Sequence, residues 1–135
     1  MRTLLTALLL VLSTTLSADP ILDHFEGKPF NIRYAMTDDC VAYLQRPNEQ
    51  YTDHLYVYKS HSVVITELDG KIHVVAYHYM KDHSAYSSVV QEKFREEAVK
   101  YRYDDNAESY ISRDNKWVMI YSGKGKDFAY AIKRR

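Results

Sequence analysis

The pattern of apolar and polar positions divides the chain into a leader and a body. Leu4 to Leu12 is apolar apart from Thr6, with Arg2 before it and the small residues Ser13, Thr14, Thr15, Ser17 and Ala18 around and after its end. A basic start, a short apolar core and a small-residue end predict a secretory signal peptide over residues 1–18, cleaved near Ser17 or Ala18. The run is too short to cross a bilayer, which takes about 20 apolar residues. No later run in the chain is longer. Residues 19–135 are therefore expected to be one domain, secreted or periplasmic, with no membrane span.

Punctuation in the body predicts its elements. Asp19 followed by Pro20 is a helix start, and Gly27 is a stop. Phe30, Ile32, Tyr34 and Met36 alternate with polar positions and predict a half-buried strand. Thr37, Asp38 and Asp39 then read as the cap of a second short helix that turns Cys40, Val41 and Leu44 inward and ends at Pro47. Residues 54–80 read as three antiparallel strands. Asp69-Gly70 marks a two-residue hairpin, since both residues tolerate positive φ. Such a loop pairs residues whose numbers sum to about 139, setting Ile65 opposite Val74 and His61 opposite His78. Ser88, with Gln91 three residues on, opens a longer helix to about Tyr101. Its apolar stripe is Val90, Phe94, Ala98 and Tyr101; Glu92, Lys93, Arg95, Glu96, Glu97 and Lys100 are assigned to the wet side.

The tail predicts strands at 109–112, 116–121 and 128–133, joined at Asp114-Asn115 and at the loop 122–126. Ile111, Val118, Ile120, Phe128, Tyr130 and Ile132 are placed on one face, and Tyr110, Trp117, Met119 and Tyr121 on the other. The sum is an α+β domain: a mainly antiparallel curved sheet of about six to seven strands, one long and two short helices, with a half-open barrel as the limiting case.

Composition narrows the function classes. The 135 residues carry 18 Lys plus Arg and 18 Asp plus Glu. A balanced charge argues against nucleic acid as a partner, because phosphate binding draws on a basic surplus. A single cysteine, Cys40, precludes an intramolecular disulfide, so an exported domain of this size must rest on its core. No nucleophile elbow, paired-cysteine motif or zinc-protease motif is present. The loop Ser-Gly-Lys-Gly-Lys lacks the spacing of a phosphate loop, and nothing implies a cofactor.

Two residue types stand out. Thirteen tyrosines all follow the leader. Tyrosine suits recognition surfaces, although strands favour it in any case. Tyr56, Tyr58, Tyr77, Tyr79, Tyr110, Trp117 and Tyr121, with Lys124 and Lys126 of the basic hairpin tip, form the candidate partner-binding surface. Of the six histidines, the cross-strand pair His61 and His78 is the candidate metal site, with His54 as a third ligand. The commoner role for such histidines is hydrogen bonding at a rim.

The leading expectation is an exported binding protein that docks on another protein, such as a periplasmic inhibitor or immunity protein against a toxin or cell-wall enzyme. A small-molecule or metal carrier with a Tyr/His-lined pocket is the alternative, and a small hydrolase using histidines is the third. The balance leans away from an enzyme. An exposed edge strand also allows a homodimer.

Overall fold

The computed structural model describes residues 19–79, 87–123 and 128–135. The chain begins with α1 (Pro20–Phe25) and a 3-10 turn (Ile32–Ala35), and continues with β1 (Cys40–Pro47), β2 (Thr52–Tyr58), β3 (His61–Leu68) and β4 (Lys71–Tyr79). Then come α2 (Ser87–Ala98), β5 (Tyr101–Asp104), β6 (Ser109–Ser112), β7 (Trp117–Ser122) and β8 (Ala129–Arg134). The strands form one sheet in the order β1-β2-β3-β4-β8-β7-β6-β5, with every neighbouring pair antiparallel. It is two four-stranded meanders joined where β4 meets β8. After β4 the chain runs through α2 before entering the far edge at β5. The sheet is open and has eight strands, against the six to seven expected.

One face of the sheet makes the core. Tyr56, Val63, Ile65, Val75, Tyr77, Met119, Tyr130 and Ile132 point to it and are buried with Leu22 and Phe25 of α1 and Val90 of α2. Trp117 and Met119 share this face with Tyr130 and Ile132, because Met119 pairs with Ile132 and Tyr121 with Tyr130. The sequence reading had split them between two faces.

Two segments exchange their expected structures. Residues 30–36 are no strand: the Asn31 side chain accepts from Arg33 N at 3.0 Å and starts the 3-10 turn. Sheet tyrosines hold that turn from below. Tyr56 Oη donates to Ile32 O at 2.8 Å and Tyr58 Oη to Ala35 O at 2.5 Å. Conversely, residues 40–47 are an edge strand and no helix. A bulge at Val41 lets both Cys40 and Tyr43 face the core although they are three apart, and that spacing imitates a helix.

A second bulge decides the register of the central hairpin. Asp69 (φ 51) and Gly70 (φ 77) form the two-residue turn, and Glu67 pairs with Ile72, matching the 139 rule. His73 is then extra, so Thr66 pairs with Val74, and all later partners sum to 140. His61 therefore lies opposite Tyr79, and His78 opposite Ser62. Positive φ at Gly70 sets a test. A Cβ there meets no atom within 4 Å, so Gly70→Ala should cost only the backbone penalty of about 1–2 kcal/mol, read as a lowered urea midpoint with unchanged slope.

Candidate functional site

The inner face carries a row of stacked rings beside the core. Tyr58 lies 5.0 Å from His61, His61 lies 6.3 Å from Tyr77, and Tyr77 lies 4.7 Å from Tyr130, all centroid to centroid and near parallel. The four rings come from β2, β3, β4 and β8, which are consecutive in the sheet. They floor a cavity of about 390 Å³ between the sheet, the start of α1, the segment around Thr37 and Asp39, and α2.

The roof and end wall of this cavity are charged. Asp19 caps α1: its Oδ1 accepts from Ile21 N at 2.8 Å, and its Oδ2 accepts from Tyr77 Oη at 2.5 Å. Burial raises the Asp19 carboxyl above its ordinary range, against the lowering effect of those bonds. Glu97 hangs from α2 and is only 6% exposed. It stands one heptad after Val90, so it belongs to the stripe that faces the sheet. Lys100 Nζ donates to Glu97 Oε1 at 3.2 Å. Glu97 Oε2 has no hydrogen-bond partner among the described residues, and neither does the hydroxyl of Tyr101. Burial, and then the charge of Asp19, push Glu97 up to about 7.

His61 behaves in the opposite sense. Burial, and then Lys93, hold it down at about 4, while Asp39 works weakly the other way. Its Nδ1 shares a hydrogen bond of 2.8 Å with Ser60 Oγ. The imidazole is thus neutral at pH 7, an aromatic wall with no charge. Across the cavity Asp19, Asp39, Glu96 and Glu97 face Lys93 and Lys100, so acid outnumbers base.

The residues singled out from the sequence separate here. Tyr56, Tyr58, Tyr77 and Trp117 are buried; they do not form an exposed docking surface. Trp117 packs under the Arg134 guanidinium, 4.5 Å from its ring centroid. With Phe25 and Ile72 they line a second cavity of about 460 Å³ beside the Asp69-Gly70 turn. Iodide should therefore quench Trp117 poorly in the free protein; a strong quench would place the indole in water. Tyr110 and Tyr121 gather at the rim around Phe94, at 5.5 and 5.2 Å. The side chain of Tyr79 and the residues Lys124 and Lys126 lie outside what the structure describes.

The expected metal pair comes apart. The bulge at His73 leaves His61 on the inner face, while His78 is exposed on the other face, beside Ser62 and Ala129. His54 sits elsewhere, wholly buried, with Tyr43 Oη at 2.7 Å from Nδ1 and Glu67 Oε1 at 3.1 Å from Nε2. Its two ring nitrogens are thereby used within the fold. Among the described residues no three His, Cys, Asp or Glu side chains converge as metal ligands, and no helix is long and apolar enough to cross a membrane.

The sequence reading missed Asp19 and Glu97 as site residues. Glu97 carried a signal, its heptad offset from Val90. Asp19 carried one only as a helix cap, and its contact with Tyr77 spans 58 positions, beyond any local pattern. Neither a protein-family model, nor a curated protein, nor a solved structure gives a significant match to this chain.

Proposed function

We propose that this protein is an exported carrier that holds a small organic molecule in the cavity between the tyrosine floor and α2. The observation that carries the reading is the cavity itself: about 390 Å³, floored by four stacked rings and edged by buried carboxyls. Small-ligand sites combine an apolar or aromatic wall with a few fixed polar groups; here the ring floor supplies the first and Asp19 and Glu97 the second, while Asp39, Lys93, Glu96 and Lys100 make the lining more charged than is usual. The pattern of the leader supports export. No bond-breaking role is assigned: Asp19 is engaged by Tyr77 and Ile21 N, and His61 is bonded to Ser60.

Docking on another protein remains the second reading, on a different surface from the one first expected. The outer face of the sheet holds a straight aliphatic row in which Leu44 pairs with Leu55, Leu55 with Val64, Val64 with Ala76, Ala76 with Ala131 and Ala131 with Ile120. Leu44 and Ile120 at its ends are exposed. Native mass spectrometry of the protein purified from the exported fraction tests both readings. A carrier shows an adduct of a few hundred daltons that is lost when a bulky residue fills the cavity, as in Val63→Trp. A protein adduct lost on Leu44→Asp instead, with the cavity variant unaffected, would replace the carrier reading by docking.

A further inference from the structure

The sheet is open, and its two edges differ. β5 is four residues long and carries Arg102 and Asp104, the short and charged form of edge that resists further pairing. β1 is eight residues long and exposed along most of its length, with Leu44 at 61%. Its hydrogen-bond phase follows from the turn to β2. Asn48 N donates to Tyr51 O at 2.8 Å, so that pair is a hydrogen-bonded one. Alternation then makes Arg46, Leu44 and Ala42 the residues bonded to β2. Tyr43 and Gln45 turn their N–H and C=O groups outward, and among the described residues no other segment takes them. Pro47 is in an outward position too, where its missing N–H costs the pairing with β2 no bond.

Two defects bound this open stretch, the bulge at Val41 and Pro47, and each lies three residues from Leu44. A two-fold axis at Leu44 sets the bulge of one copy against Pro47 of the other and leaves Ala42 to Arg46 to pair without a fault. In that register Tyr43 and Gln45 exchange main-chain bonds with Gln45 and Tyr43 of the second copy. A shift of two residues either way brings the bulge or Pro47 into the paired stretch. Leu44 meets its own counterpart in a non-hydrogen-bonded pair, where side chains come closest. The aliphatic row that ends at Leu44 in each copy then runs into the other without a break. Arg46 is the one charged residue of the strand. The two copies of it sit four register positions apart, about 14 Å at about 3.4 Å a residue, beyond the Debye length of about 8 Å.

We infer that β1 is the interface of a homodimer, in which two copies pair antiparallel about Leu44 into one continuous sheet. The contact is smaller than the about 800 Å² per partner of a standard complex, so the dimer is weak, with a dissociation constant on the order of 100 μM. No residue of β1 lines the cavity, and the inference is independent of the carrier reading.

The test is sedimentation equilibrium of the purified protein from about 10 μM to about 1 mM, with cysteine pairs to read the register. The unmodified protein should dimerise over that range, and Leu44→Lys, which sets two charges face to face at the axis, should weaken the dimer at least about tenfold. In a Cys40→Ala background, Leu44→Cys should form a disulfide-linked dimer in a glutathione buffer, because facing Cα atoms about 4.5 Å apart allow one. Ala42→Cys should cross-link at least about tenfold less, its two copies being about 14 Å apart. A protein that stays monomeric to about 1 mM overturns the inference. So does a dimer that ignores Leu44→Lys, or one in which Ala42→Cys cross-links as readily as Leu44→Cys. In the native spectrum an adduct of the chain's own mass is this dimer and leaves the carrier reading untouched; a different protein held at Leu44 with no homodimer overturns it. The sedimentation series is decisive even if Cys40→Ala does not fold.

Discussion

Replacing Tyr56 by alanine should cost about 3–5 kcal/mol of folding stability, the range for deleting a large buried aromatic ring. Tyr56 has no exposed surface. Its ring packs 5.1 Å from Tyr43, and its hydroxyl holds the 3-10 turn through Ile32 O. The variant loses the area, the cavity is left behind, and the crossing segment over the core loses a tether. Tyr56→Phe isolates the last part and should cost about 1 kcal/mol, the net value of a single hydrogen bond. Tyr103, by contrast, is half exposed on the edge strand β5. Tyr103→Ala should fall within about 0.5 kcal/mol of the parent. Urea melts of the three variants check the series. A Tyr56→Ala cost below about 1 kcal/mol would mean that this ring faces water, and with it the inner face as assigned.

That series also shows why tyrosine misled the reading of the sequence. On strands, alternation says that two sets of residues face opposite ways, and it does not say which set meets water. Tyr56 and Tyr58 alternate with Leu55 and Val57, which are apolar too, so the pattern is silent. The side with α1 and α2 above it decides, and that is a property of chain crossings. The tyrosine hydroxyl explains the choice of residue: Tyr56, Tyr58 and Tyr77 bond Ile32 O, Ala35 O and Asp19 Oδ2. Phenylalanine would fill the space and leave the covering segment untied.

Where local chemistry controls structure, the sequence was legible. The Asp19-Pro20 cap, the Asp69-Gly70 turn, the body of the helix read from Ser88 and the two tail hairpins all follow from backbone preferences, although that helix begins at Ser87 and stops at Ala98, leaving Tyr101 to open β5. Where one extra residue controls it, the sequence was not. The bulge at His73 moves every later partner of β3 by one position, which alone dissolves the His61–His78 pair. The bulge at Val41 gives an edge strand the spacing of a helix. Residues 30–36 alternate as a strand does, but both edges of the sheet lie elsewhere, so their carbonyls go to tyrosine hydroxyls. The site was no more legible: Asp19 and Glu97 line one cavity because α1 and α2 cover the same inner face.

The acid dependence of stability should be flatter for the parent than for two of its variants, because Glu97 and His61 pull in opposite directions. Glu97 is raised from 4.5 to about 7 on folding. The native state then holds a proton that the unfolded chain releases, so stability falls as pH rises from about 4.5 to 7. His61 is lowered from 6.5 to about 4. There the unfolded chain holds the extra proton, so stability rises with pH over about 4 to 6.5 and is complete above that range. Each shift corresponds to about 3 kcal/mol at full extent. The groups around them do not reverse these signs: Asp19 and Asp23 reinforce the rise of Glu97 against Lys100, and Lys93 reinforces the fall of His61 against Asp39. Asp19, itself raised by burial, adds to the falling limb and tilts the parent slightly that way. His61→Gln should therefore expose a stability that drops by about 3 kcal/mol or more from pH 4.5 to 7. Glu97→Gln should lose most of that drop, gain stability between pH 4 and 6.5, and exceed the parent by up to about 3 kcal/mol at pH 8, where the parent carries a buried charge and the variant none. Urea midpoints for the three proteins at unit pH steps decide it. Parallel curves would show that neither group is buried in the state assigned here, and a Glu97→Gln protein less stable than the parent at pH 8 would show that the Lys100 pair outweighs the cost of burying the carboxylate.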